Sequence, residues 1–395
     1  VAALRDREMG DFLNIIGDDL DVIDFEHYFV KGDDVERMSY LKKHFEYFKF
    51  NKYKECTLLD AYKNPNEKYY YFISRLSTFS FFENTIPFTE SLITGLKTLN
   101  NVNIILLSEH ESVDEENFIK LNDFLIRYNI NGNKIHLINN NSLLNFYKSK
   151  HNSEINVLST KFLPIFYSKL LNKHKIEFST NREFLFMCHN KRMKSHRVGV
   201  LAFLKKTNII NDVDWSFVFD SESSIDYDLS STLKEEIGVI LKNGSVKSKY
   251  EIDHVFKFGD PGDYICEDTF SNAYLNITTE TNFITEDVHI TEKSFKPFFF
   301  YQIPIFLSSA FHVKKLKEIY GFDLFEDVVN HNYDNETNFK KRFSLVCDEI
   351  NRIYNNRDEI KKFIINNKER FLKNNEIVSN IINDKTDYNY FESLM

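Results

Sequence analysis

Three short stretches in the second half of this 395-residue chain hold most of the side chains that could grip a charged ligand. The first is Phe184-Leu-Phe-Met-Cys-His-Asn-Lys-Arg-Met-Lys-Ser-His-Arg197, where an apolar run leads through a basic loop into a helical pattern. Fixed cations (Lys191, Arg192, Lys194, Arg197) beside the N–H groups of a helix start suit a phosphate. A solvated basic loop is the plainer alternative. The second stretch, Tyr274-Leu-Asn-Ile-Thr-Thr-Glu280, reads as a strand that ends on a carboxylate. The third, Ile290-Thr-Glu-Lys-Ser-Phe-Lys-Pro297, runs on to Gln302-Ile-Pro-Ile-Phe-Leu307. Thr291 is placed to cap a helix over Glu292–Phe300 whose first turn holds Glu292 and Lys293. A glutamate there is favourable without any ligand, whereas a lysine opposes the helix dipole. A bound phosphate would compensate for that lysine.

Loops of this kind need a sheet to hold them at its edge. From Lys68 onward apolar, β-branched runs alternate with amphipathic helical patterns. Strands are expected at Tyr69–Ile73, Val102–Leu107, Lys134–Ile138 and Ile155–Leu158, with helices at Thr89–Leu99, Glu115–Tyr128 and Ser142–Lys148 between them. Ser112, with Glu115 three residues later, offers a capping box for the helix at Glu115. A polar segment, Asn172–Thr180, reads as a linker. A second series follows, with strands at Glu183–Met187, Trp215–Phe219, Asn272–Thr278 and Ile305–Leu307 and helices at Arg197–Lys206, Leu233–Leu241 and His312–Tyr320, the last closed by Gly321. This alternation predicts βαβ units and parallel sheets. The expected organisation is a segment 1–67 packed on the first domain, a Rossmann-like domain over 68–178, a second over 179–335, and a charged helical extension over 336–395. The two α/β domains would face each other across a cleft.

Composition narrows the function classes. Fifty Lys and Arg against 59 Asp and Glu give a net charge of −9, with both signs interleaved, which disfavours a general duplex-DNA binder. The four cysteines form no CxxC pair, so a cysteine zinc site is not expected. Neither a signal peptide nor an apolar run long enough to span a bilayer is read, and a cytoplasmic setting is expected. Abundant Phe, Tyr, Asn, Ile and Lys suggest an AT-rich genome, such as that of a phage or another virus.

The stretch Asn272–Leu307 resembles the donor-site signature of GT-B glycosyltransferases, most closely the α1,3/4-fucosyltransferase type. Ile290-Thr291-Glu292-Lys293 matches the heart of that motif and Pro304-Ile305 its later strand. The family has asparagine–serine where this chain has Thr281, and leucine–tryptophan where it has Ser294-Phe295. The resemblance implies that Glu280 lies near the donor sugar as a catalytic group. It implies that Glu292 binds the ribose or sugar, that Lys293 contacts the phosphates, and that Arg197, with Asn190 before it, grips the diphosphate. Arg192 and Lys194 join them as donor-binding candidates.

The implied activity is transfer of a sugar from a nucleotide-diphosphate sugar to a hydroxyl of a glycan, a protein or a modified nucleobase in DNA. Inversion without a metal is expected, since cations can neutralise the departing diphosphate. No tightly bound cofactor is expected, the nucleotide sugar being a co-substrate. A base must take the acceptor proton, and Glu109, His110 and Glu111, after the strand Val102–Leu107, are the candidates in the first domain. A solvated loop remains the alternative there. Two further readings stand beside the enzyme: a non-catalytic nucleotide or sugar binder, and a structural viral protein on a degenerate transferase fold.

Overall fold

The computed structural model describes residues 58–66, 68–74, 90–108, 113–161, 164–165, 168, 171–190, 194–217, 229, 231–242, 270–285, 287–387 and 389–390. The chain divides into two compact units, Val1–Phe162 together with Lys385–Met395, and Leu163–Asp384.

In the first unit, α1 (Leu58–Lys63) precedes a parallel sheet of β1 (Tyr69–Ser74), β2 (Val102–Ser108), β3 (Ile135–Asn139) and β4 (Asn156–Ser159), side by side in chain order. The intervening helices are α2 (Glu90–Thr98), α3 (Glu115–Tyr128) and α4 (Leu144–Lys150). Val102, Ile104, Leu106, Ile135 and Leu137 pack with Leu92, Leu96, Phe118, Leu121 and Leu144 in one core. Side chains alternate along a strand, so His136 and Ile138 face the other side, where His136 Nδ1 lies 2.9 Å from the Tyr390 hydroxyl. Asp387 accepts from Thr160 Oγ1 at 2.6 Å. The tail thus belongs to the first unit. Asp114, not Ser112, caps α3, accepting from the Asn117 N–H at 2.8 Å. Its carboxylate sits at the positive end of the helix dipole.

The second unit begins well before the expected linker. Ser168 Oγ donates to Val378 O at 2.7 Å, and Phe178 packs on Tyr301 and Phe371. Its sheet comprises β5 (Phe184–Asn190), β6 (Val213–Phe217), β7 (Ala273–Thr279) and β8 (Ile303–Leu307). All are parallel, in the order β6-β5-β7-β8. Every residue of β7 and β8 is buried, as a parallel sheet covered on both faces requires. Helices α5 (Ser195–Lys206), α6 (Lys234–Lys242), α7 (Lys296–Phe299) and α8 (His312–Tyr320) accompany the strands, followed by α9 (Phe339–Asn355), α10 (Arg357–Asn366) and α11 (Lys368–Asn380).

Glu292–Phe300 is not one helix: Glu292–Ser294 forms a 3-10 turn and the α-helix starts afresh at Lys296. Pro297 has no N–H to continue a helix from the turn, but fits a first helical turn. Gly321 closes α8 at φ 75°, the left-handed conformation that costs glycine little. The α/β class with parallel sheets is thus present in both units. Among the described residues, no helix is long and apolar enough to cross a membrane.

Candidate functional site

The strand order of the second unit reverses at β5. The chain steps from β5 to β6 on one side, then returns to β7 and β8 on the other. Helices leaving the two strands diverge at such a point, and α/β sheets bind ligands in the crevice at the strands' carboxyl ends. The first unit's described strands run in one direction and have no such reversal. At the reversal the ends of β5 and β7 are tied together, the Thr279 hydroxyl donating to the Asn190 side-chain oxygen.

The start of α5 is fastened to the end of β7 by three side chains. Lys194 donates to Thr281 O at 2.8 Å and His196 Nε2 to Glu280 O at 3.0 Å. Arg197 reaches the carbonyls of Thr279 and Glu280, both at 3.3 Å. Arg197 is only 4% exposed, so its guanidinium faces the backbone of β7 and not an open surface. That differs from the diphosphate grip expected of it. His196 is buried, which holds its imidazole well below its usual range, with the neighbouring Arg197 charge adding to the effect. Its ring stacks on Phe283 at a centroid distance of 4.9 Å. The guanidinium of Arg342, from α9, lies 4.9 Å from the Phe283 ring centre and also donates to Phe283 O. A helix far along the chain thus braces the loop after β7.

Glu280 is fully buried and is the hub of this region. Its Oε2 accepts from the Thr291 hydroxyl at 2.7 Å and from the Thr281 N–H at 3.2 Å; its Oε1 accepts from Ser294 Oγ at 2.5 Å. With the serine proton committed to the carboxylate, His312 Nε2, 2.7 Å away, is the donor to Ser294 Oγ. Burial pushes the Glu280 carboxyl up, but the Lys293 charge and these hydrogen bonds outweigh it and leave it below its ordinary range. Burial lowers His312 to about 4, against a smaller opposing pull from Glu280, so the ring is neutral near pH 7. Glu280, expected at the donor sugar, therefore holds the turn from inside.

Thr291 caps that turn, accepting from the Lys293 N–H while its proton goes to Glu280. The turn leaves the side chains of Glu292 and Lys293 part-buried, with Lys293 Nζ also donating to Thr291 Oγ1 at 3.2 Å. Their side chains are 15% and 31% exposed, and the Lys293 ammonium lies 3.0 Å from Glu292 Oε1. Burial raises the Glu292 carboxyl, yet Lys293 and Lys296 bring it down to about 2. At the turn a carboxylate is thus flanked by two ammonium groups. Such a cluster can hold a diphosphate by charge and a sugar hydroxyl by hydrogen bonding.

Asn190, Lys194, Arg197, Glu280, Glu292 and Lys293, 90 residues and more apart at the extremes of the chain segment, therefore meet at one sheet edge. Arg192, Glu109, His110 and Glu111 lie outside the described residues. Ser294, His312, Phe283 and Arg342 belong to the site's framework although sequence reasoning did not select them. Only Ser294 gave a signal, as the residue three after Thr291 in a capped turn. Among the described residues, no group of three or more His, Cys, Asp or Glu side chains is arranged to hold a metal ion. Compared with protein-family models, with curated proteins and with solved structures, the chain matches none.

Proposed function

We propose that this protein is a glycosyltransferase that takes a sugar from a nucleotide-diphosphate sugar and passes it to an acceptor hydroxyl of a glycan, a protein or a modified nucleobase. The observation that carries the reading is the position of the Thr291–Ser294 turn. The turn with the transferase-like residues is bonded to the carboxyl end of β7, one of the two strands that flank the β5/β7 reversal, and α/β sheets bind ligands at such a point. In this reading Lys293 and Lys296 neutralise the diphosphate as the anomeric bond breaks. Glu292 accepts from the ribose or sugar hydroxyls. Glu280, Arg197 and Lys194 keep the turn, β7 and α5 in register.

A second reading has one observation in its favour. Arg197 and Lys194 spend hydrogen bonds on backbone carbonyls, which suits a binder of nucleotide sugars without turnover. Thermal unfolding with a panel of nucleoside diphosphates and their sugars, repeated on Lys293→Ala, tests the site. A ligand at a hundred times its Kd stabilises by about 2.7 kcal/mol. A shift with one nucleotide class, lost in Lys293→Ala, supports the donor site. No shift with any of them counts against it. Release of free nucleoside diphosphate from the stabilising nucleotide sugar then separates enzyme from binder.

A further inference from the structure

One buried carboxylate in the second unit has no role in the network just described. Asp214, at the start of β6, is 0% exposed, and neither of its carboxylate oxygens accepts a hydrogen bond. A buried ion in that position is costly unless paired. The polar group it meets is His189 on β5, whose Nε2 lies 3.3 Å from Asp214 Oδ1. Nε2 is shut off from solvent, while the His189 side chain as a whole stays 21% exposed. No described hydrogen bond engages the opposite ring nitrogen, Nδ1.

The strand registers place this pair at the same edge as the site. Met187 pairs with Asp214 on β6 and with Asn276 on β7. Alternation puts His189, two residues on, on the face of Asp214. It puts Thr278 and Glu280 on the face of Asn276, and the Thr278 hydroxyl donates to Asn276 Oδ1 at 3.0 Å accordingly. His189 and Glu280 thus share a face on neighbouring strands at the carboxyl end of the sheet. His189 immediately precedes Asn190, which ties β5 to β7 at the reversal.

We propose that His189 is the general base of the second unit and that Asp214 is its positioning residue. The carboxylate draws the ring proton to Nε2, so Nδ1 carries the lone pair on the exposed side. A gap of 3.3 Å is long for this bond, and such contacts tighten when a ligand is bound. This role rests on the transferase reading above. The acceptor oxygen forms its bond to the anomeric carbon while its proton passes to His189 Nδ1. The anomeric carbon–oxygen bond breaks, and its electron pair leaves on the diphosphate.

Two measurements on the full chain test this. Diethyl pyrocarbonate acylates an imidazole nitrogen with an accessible lone pair, and mass spectrometry reads each histidine separately. Rapid acylation of His189 is expected, slowed at least about tenfold in Asp214→Asn, because the amide donates to Nε2 and moves the ring proton to Nδ1. Unchanged rates at the other histidines show that the variant is folded. A His189 that does not react, or reacts equally in Asp214→Asn, overturns the dyad. Nucleotide-sugar hydrolysis, with water as acceptor, should fall at least about 100-fold in His189→Gln, with nucleoside diphosphate affinity held within about threefold. Unchanged hydrolysis in His189→Gln overturns the base assignment. Absence of nucleotide binding by the unaltered chain overturns the transferase reading and this role with it, while the acylation rates still decide the dyad.

Discussion

The Thr291 hydroxyl serves two partners at once: it accepts from the Lys293 N–H at 3.3 Å and donates to Glu280 Oε2 at 2.7 Å. The cap of the turn and the buried carboxylate at the end of β7 are therefore one unit. Thr291→Val keeps the shape and removes both bonds, together with the one that Thr291 Oγ1 accepts from the Lys293 ammonium at 3.2 Å. It should lower stability by about 2 kcal/mol, combining a lost cap with a lost bond to a charged acceptor. Thr291→Ser should recover most of it. Urea unfolding of the three proteins gives the comparison, and a valine variant as stable as the parent would refute the coupling.

Acid should destabilise the fold in two stages. His312 has a folded value of about 4 against 6.5 for a free imidazole, and His196 and His289 are also lowered by burial. The unfolded chain takes up protons at these rings first, so stability present above pH 6.5 is lost as pH falls through about 4. Glu292, at about 2 against 4.5, contributes stability present above pH 4.5 and lost as pH falls through about 2. Glu292→Gln should flatten the lower stage, on the order of 3 kcal/mol, and His312→Gln the upper one. Denaturant midpoints measured from pH 7 to pH 2 would separate the two, and identical slopes in parent and variants would contradict the assignment.

Arg342 donates to the carbonyls of Ser308, Glu336, Thr337 and Phe283 from a buried position. Arg342→Met fills similar space and leaves those acceptors without their donor. A loss of about 3 kcal/mol or more is expected. Amide hydrogen exchange should also quicken around Phe283 and His196, because the stack from Arg342 through Phe283 to His196 is broken at its base. Exchange unchanged there would show that the stack stands without the arginine.

Gly199 lies on α5 where the helix meets its neighbours. A Cβ there would come 2.6 Å from Leu229 Cδ2 and 2.8 Å from Phe343 Cζ. Gly199→Ala is therefore expected to destabilise by about 1–3 kcal/mol through overpacking, despite alanine's better helix propensity. Thermal unfolding shows which effect wins, and a stabilised variant would mean that the Phe343 ring moves aside.

Local pattern made much of this legible. The apolar runs of β2, β7 and β8, the Thr291 cap and the Gly321 stop all depend on neighbours within a few residues, and each stands where its residues point. The direction of a long side chain was not legible. Arg197 in a basic loop suits a phosphate or main-chain carbonyls equally well, and the fold supplies Thr279 O and Glu280 O. Ser294 and His312 become partners only through the return of β8 beside β7, a contact no local spacing encodes. The cap of α3 moved from Ser112 to Asp114 because both residue types can cap, and where the helix starts decides between them.

The tail carries a consequence for biosynthesis. Thr160 and His136 find Asp387 and Tyr390 more than 220 positions later. Domains emerging from the ribosome generally fold from the N-terminus onward. Here the first unit lacks these last pieces until the entire second unit has been translated. Its early form must wait with one face of its sheet short of that covering, in reach of chaperones. No single cut separates the chain into two complete units, so a truncation meant to isolate the first would have to bring Lys385–Met395 with it.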